Sequence, residues 1–277
     1  MAKKNYHTKR CPFRPHAAPN LFGSQGNGSI TELQGVSPIG VEIGTVAAQP
    51  TGAAPILACD PRGRFVYSIY ASTGSVSAYT ISASTGSGSA GTLGIAQGSP
   101  FAVGQTLTAI GTEPFGKFVF IANSNGSVKP ASETISTLEI DGAKLTTSSI
   151  IATPPGNDLS QIIVDPSGTF LYASSASNEI VEFAIDPVSG RLFPIPGSPF
   201  SAGNASAGAN GIARMAIDPS GKFLLVGQHT NSTGPTYGQK VLLRAYQIDA
   251  NTGVPTPTTV PLLTLEMPQE DLFGGAA

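Results

Sequence analysis

The sequence predicts an all-β fold assembled from repeated antiparallel sheets, and three observations predict it. One short phrase is written four times: DPRGRFVYS at 60–68, EPFGKFVFI at 113–121, DPSGTFLYA at 165–173 and DPSGKFLLV at 218–226, at spacings of 53, 52 and 53 residues. Runs rich in Thr, Val, Ile, Tyr and Phe alternate with clusters of Gly, Pro, Asn and Ser, the pattern of short strands and tight turns. No Ala/Glu/Lys/Leu-rich stretch or heptad lies between the copies. A tandem unit of about 52 residues with four strands and no helix predicts a β-propeller of four-stranded antiparallel blades.

Each copy follows one plan. An apolar first strand (PILAC at 55–59, LTAIGT at 107–112, SQIIV at 160–164, ARMAI at 213–217) precedes Asp/Glu-Pro-x-Gly. The acid can accept from its own backbone, Pro presets φ at the second position and Gly suits the fourth, so this is a turn joining antiparallel strands. The second strand follows, opening on an in-phase phenylalanine: Phe65, Phe118, Phe170 and Phe223. These four are expected in the core between blades, because one blade cannot bury both faces of its own sheet. SVSAYTI, TISTLEI, EIVEFAI and VLLRAYQI supply the third strand, and a Gly-rich turn such as DPVSG or DANTG leads to a weaker fourth. The repeats fall near 55–106, 107–158, 159–211 and 212–267, with a partial blade at 20–54. That makes about five blade equivalents, a truncated seven-bladed ring being the alternative. An open ring would expose an apolar blade face and a sheet edge through which the protein could associate.

Composition narrows the class. The chain of 277 residues is 40% hydrophobic and 12% charged, enough to fill a core. The net charge of −2 is uneven: residues 1–16 hold Lys3, Lys4, Lys9, Arg10 and Arg14 and no acid. Residues 1–19 are expected to be a disordered basic leader and 269–277 a flexible tail. The body lacks the basic stripe that nucleic-acid binding requires, and no segment reaches the roughly 18 apolar residues of a membrane span. Cys11 and Cys59 are too few for a disulfide framework. The Ser-, Thr-, Gly- and Asn-rich body reads as extracytoplasmic, periplasmic or secreted, although the N-terminal residues lack the apolar stretch of a secretory signal.

The paired phrases DPSGKFLLV and DPSGTFLYA, with AIDPVSGRLFPIPGSPFSAG at 184–203 and GSPFAVG at 98–104, resemble the lactonase-type propellers, the 6-phosphogluconolactonase-like and YVTN-repeat bacterial proteins. The resemblance covers about residues 55–262 and implies the propeller fold, usually with seven blades. It also implies where catalysis would sit: enzymatic members carry a Pro-Arg-His run before the turn and an Asn-Glu pair after the second strand. The corresponding residues here are Ile212-Ala213-Arg214 and Gln228-His229. That departure favours a non-catalytic binding or scaffolding module. The alternative is a hydrolase of a sugar lactone, with His229 as base and Arg214 stabilising the oxyanion.

A propeller binds ligands at the end of its central channel. The in-phase positions closing the second strand are Tyr70, Asn123, Ser175 and Gln228; the in-phase innermost-strand positions are Ile56, Ala109, Gln161 and Arg214. Tyr70, Asn123, Ser175, Gln228 and Gln161 offer hydrogen bonds without an acid, which suits a neutral polar ligand such as a sugar, or a protein or peptide loop. No cofactor and no metal site are expected. GSGSAG at 86–91 matches the dinucleotide fingerprint but lacks a following helix. His7, Cys11 and His16 lack a fourth ligand, and Asp60, Asp165 and Asp218 are spoken for by their own turns.

Overall fold

The computed structural model describes residues 21–24, 30–34, 41–46, 56–69, 74–82, 93–104, 106–124, 134–142, 144–153, 159–175, 177–203, 209–230, 240–259 and 263–266. These residues are strand and turn throughout. They form five antiparallel sheets taken in chain order.

The first sheet is β1 (Leu21–Ser24), β2 (Ile30–Gln34) and β3 (Val41–Val46). The second is β4 (Ile56–Cys59), β5 (Phe65–Ile69), β6 (Ser75–Ile81), β7 (Leu93–Ile95) and β8 (Phe101–Ala102). The third is β9 (Thr106–Thr112), β10 (Phe118–Ser124), β11 (Thr134–Asp141) and β12 (Lys144–Ala152). The fourth is β13 (Leu159–Val164), β14 (Phe170–Ser175), β15 (Glu179–Ile185), β16 (Leu192–Pro194) and β17 (Phe200–Ser201). The fifth is β18 (Ala209–Ile217), β19 (Phe223–Thr230), β20 (Lys240–Ile248), β21 (Pro255–Pro257) and β22 (Leu263–Glu266).

The expected weak fourth strand is in three sheets two short pieces, both paired to the third strand: β7 and β8 on β6, β16 and β17 on β15, β21 and β22 on β20. In the fourth sheet a Gly-Ser-Pro kink separates the pieces, and the Ser198 hydroxyl accepts from the Glu182 N–H in the gap where no strand is present. Only the third sheet runs its fourth strand unbroken, as β12 of nine residues.

The Asp/Glu-Pro-x-Gly turns close as their chemistry dictates. Asp165 accepts the N–H groups of Ser167, Thr169 and Phe170 at 3.0, 2.8 and 2.7 Å. Asp218 does the same for Ser220, Lys222 and Phe223, and these bonds, the Ser220 hydroxyl first, hold its carboxyl below the usual aspartate range. Glu113, one carbon longer, reaches the N–H groups of Phe115 and Lys117. Asp60 accepts the Arg64 N–H at 3.1 Å and also pairs with the Arg64 guanidinium at 2.7 Å.

The sheets stack about a hub. Their innermost strands follow one another, β4 beside β9, β9 beside β13 and β13 beside β18. Between second and third sheets, Phe65, Tyr67 and Ile69 pack on Leu107, Val119, Ile121 and Leu138. Phe118, Phe120 and Ala122 meet Ile162, Leu171, Val181 and Phe183 across the next interface. Phe170 and Tyr172 meet Met215, Leu224, Val226 and Tyr246 across the last. The closing glycines finish these joints. Gly190, at φ +67°, lies so close to the Phe118 ring that an added Cβ would come within 2.6 Å of it. Gly253, at φ +78°, caps Phe170 in the same way. Phe65, Phe118 and Phe170 are thus buried as expected, whereas Phe223 is 40% exposed; its trailing side meets no described sheet.

Candidate functional site

The antiparallel order puts the ends of the first and third strands at one edge of each sheet and the ends of the second and fourth at the other, here called the mouth. In register, Ile56 lies opposite Ile69, Ala109 opposite Ala122, Gln161 opposite Ser174 and Arg214 opposite Gly227, equivalent places in the four sheets. Ala109 is buried, Ile56 is 41% exposed and Arg214 is exposed. The four positions share a level but not an environment.

Gln161 uses its whole amide on the next sheet. Its Nε2 donates to the Met215 carbonyl at 2.9 Å, and its Oε1 accepts the Met215 N–H at 2.7 Å. This is a two-point zip between the innermost strands of the fourth and fifth sheets.

The mouth-end positions are also used for joining. The Asn123 amide donates to the Ser136 hydroxyl at 2.9 Å, and its Oδ1 lies where a side chain on Gly104 would have to go. Gln228 is fully buried and donates to Asn178 Oδ1 at 2.7 Å and to the Ala202 carbonyl at 3.2 Å. Asn178 sits at φ 62° and donates in turn to the Gly203 carbonyl. Gln228 therefore clamps the segment that closes the fourth sheet, while its Oε1 meets no protein donor. Ser175 is buried and accepts the Ser177 N–H at 3.0 Å. Tyr70 lies outside the described residues, as does the His229 side chain. The His229 backbone continues β19 two residues past Gly227, the partner of Arg214.

Sequence reasoning missed Glu182. It stands on β15 opposite Tyr172, fully buried between fourth and fifth sheets, and neither carboxylate oxygen meets a donor. Burial pushes its pKa from 4.5 to about 9, so the group is neutral at pH 7. The residues in phase with it are Ala78, Thr137 and Ala245. A single acid in an otherwise small column was the available signal.

At the end opposite the mouth, a cleft of about 200 Å³ opens between third and fourth sheets, lined by Glu113, Phe115, Lys117, Ser167, Thr169 and Pro187. Its charges are taken: the Glu113 carboxylate by backbone N–H groups, the Lys117 ammonium by the Pro187 carbonyl at 2.8 Å. No group of three or more metal-ligating side chains occurs among the described residues.

No protein-family model matches the chain. Among curated proteins, a relative from Arthroderma benhamiae provisionally named 6-phosphogluconolactonase is 27% identical over 140 residues. That match covers 47% of this chain and 31% of the relative, so it spans under a third of that protein's length. Among solved structures, a provisionally designated 6-phosphogluconolactonase of Bacteroides fragilis superposes with a TM-score of 0.60 at 18% identity, covering 86% of this chain and 68% of that one. The periplasmic gluconolactonase of Pseudomonas aeruginosa gives 0.56 at 18%, covering 90% and 86%. The chain has the lactonase-type propeller fold. The same fold match extends to hydrazine synthase of Kuenenia stuttgartiensis, at 0.55 and 18% identity over 86% of this chain and 64% of that one. The propeller therefore fixes where a site can lie and leaves its chemistry to individual residues.

Proposed function

We propose that this propeller takes a sugar lactone at its mouth and hydrolyses it there. The supporting observation is the register that sets Arg214 opposite Gly227, two residues before His229, on adjacent strands of the fifth sheet. The lactonase names of relatives that share the fold give the substrate class. In this reading the neutral His229 imidazole takes a proton from water as the oxygen attacks the lactone carbonyl. The Arg214 guanidinium stabilises the oxyanion that forms. The ring C–O bond then breaks, and the departing alkoxide recovers the proton from the imidazolium, giving the open hydroxy acid. Gln161, bonded to Met215 of β18, and Gln228 of β19, bonded to Asn178 and Ala202, tie the two strands to the fourth sheet. An extracytoplasmic setting belongs to the same proposal, supported by the periplasmic neighbour and by the charge-poor, Ser/Thr-rich body.

A non-catalytic binding module is the second reading. It is favoured by Ile212-Ala213-Arg214 standing where the resemblance calls for a Pro-Arg-His run. One experiment separates the two. Hydrolysis of gluconolactone and of 6-phosphogluconolactone is followed by acid release, beside calorimetric binding of the product acids. Turnover that falls at least a hundredfold in both Arg214→Ala and His229→Ala supports the hydrolase. Binding without turnover replaces it with the second reading. Turnover unchanged in either variant overturns the assigned pair.

A further inference from the structure

The cleft opposite the mouth departs from the repeat at two side chains, and the other copies serve as controls. Arg64 and Lys117 hold the same place, four residues after the acid of the turn. Between second and third sheets the Arg64 guanidinium pairs with Asp60 and donates to the Gly116 carbonyl at 2.6 Å, bridging the two turns. Between third and fourth sheets Lys117 has no such fork. Its ammonium crosses to the Pro187 carbonyl at 2.8 Å, and the cleft opens beside it against Ser167, Gly168 and Thr169 of the next turn. The third position of the turn differs as well: Arg62, Phe115, Ser167 and Ser220. All four turns close with the same backbone bond from the glycine N–H to the carbonyl of the acid, so none needs a ring there. Phe115 is nonetheless aromatic and 53% exposed. A lone exposed ring needs no explanation; this one walls a cleft that polar groups also line.

We propose that this cleft binds one uncharged pyranose ring, at a site separate from the mouth and independent of lactone hydrolysis. Its size, about 200 Å³, falls below the range of drug-sized sites and suits a single small ring. Its apolar wall is the Phe115 ring and Pro187. The negative face of an aromatic ring attracts the weakly positive C–H face of a sugar. Its polar groups ask for hydroxyls. An ammonium has three N–H groups, and the bond to Pro187 uses one. The Thr169 hydroxyl accepts from Ser167 at 2.8 Å and keeps its own proton to donate. The Glu113 oxygens each take one backbone N–H and each retain a lone pair for a ligand O–H. An anion fits poorly, because Glu113 lines the cleft and Asp186 lies within electrostatic reach of Lys117. A purely apolar ring would strip water from these groups and give nothing back. A pyranose offers an apolar face, oxygens that accept and hydroxyls that donate, all without charge.

Amide chemical-shift titration of the 277-residue protein with methyl β-glucopyranoside tests this. Saturable shifts at Phe115, Lys117 and Thr169 are expected, with a Kd in the millimolar range for so small a ligand. Phe115→Ser installs the residue that the fourth and fifth turns carry at that place, and Lys117→Arg installs the fork of Arg64. Each keeps a side chain with which this turn already folds elsewhere in the chain, and each should weaken binding at least fivefold. His229→Ala, at the mouth, should leave it unchanged. Gluconate, an anion, and cyclohexanemethanol, a ring without the hydroxyls, should shift these amides at least fivefold more weakly than the glucoside. The proposal is overturned by the absence of saturable shifts at these amides, or by affinity unchanged in Phe115→Ser or in Lys117→Arg. Gluconate or cyclohexanemethanol binding as well as the glucoside overturns it too, as does loss of binding in His229→Ala. The glucoside has no lactone bond, so none of these outcomes depends on lactone turnover.

Discussion

The joint between third and fourth sheets and the joint between fourth and fifth are built from the same repeat and differ in kind. The first has an apolar interior of Phe118, Phe120, Ile162, Leu171, Val181 and Phe183, with polar links from the Thr137, Ser148 and Lys117 side chains to the Gly190, Ser189 and Pro187 carbonyls of the turn that closes over it. The second keeps an apolar floor and adds polar parts: the Gln161 zip to Met215, the Tyr172 hydroxyl on the Gly253 carbonyl at 2.9 Å, the Gln228 clamp and the unpartnered Glu182. Apolar burial supplies stability without direction, and buried polar pairs add register where they are satisfied and cost stability where they are not. The first joint should therefore set the strength of the stack and the second its alignment at the mouth, which lies beside Arg214.

The largest effect should come from the apolar joint. Phe118→Ala removes a ring that is 1% exposed and capped by Gly190, and should lower unfolding stability by about 3–5 kcal/mol in urea titration. Loss of less than about 1 kcal/mol would mean that the joint is not the strong one.

At the polar joint, Gln161→Leu keeps the volume but strands the Met215 N–H and carbonyl. A loss of about 1–3 kcal/mol is expected. Faster amide exchange at Met215 should accompany it, without change at Val181 in the neighbouring joint. Equal change at both would erase the distinction between alignment and strength.

The last effect is a slope with pH rather than a loss at one pH. The unfolded chain ionises Glu182 near 4.5, whereas the folded protein holds the proton until about 9. Its contribution to stability is full below the lower value, falls as pH rises and is gone through the upper one. Glu182→Gln should match the parent protein at pH 5 and exceed it at pH 8.5, flattening the urea midpoint between the two. A parent midpoint that already stays flat after its other titrations are subtracted, with no difference in the variant, would show that Glu182 is not held neutral.

Much of this was legible in advance, and particular residues show why. Asp165 and Asp218 bond to N–H groups two to five residues on, so their turns could be read from nine consecutive letters. The phase of Gln161, Arg214, Asn123 and Gln228 was equally local, because strand lengths repeat with the turns. What those amides do was not legible: Gln161 meets Met215, 54 positions away, and Gln228 meets Asn178, 50 away.

The sequence alone determined the repeat, its four strands, its turns and the levels at which side chains fall around the hub, since each follows from backbone preferences and hydrogen bonds within a few residues. Tertiary structure decided which copies of a shared residue are buried. Phe170 and Phe223 open the same phrase, but Gly253 and the fifth sheet cover one and no described sheet covers the other. Tertiary structure likewise placed Glu182 in a buried joint. Burial belongs to a residue's neighbour across the interface, and in a stack of sheets that neighbour lies one whole repeat away.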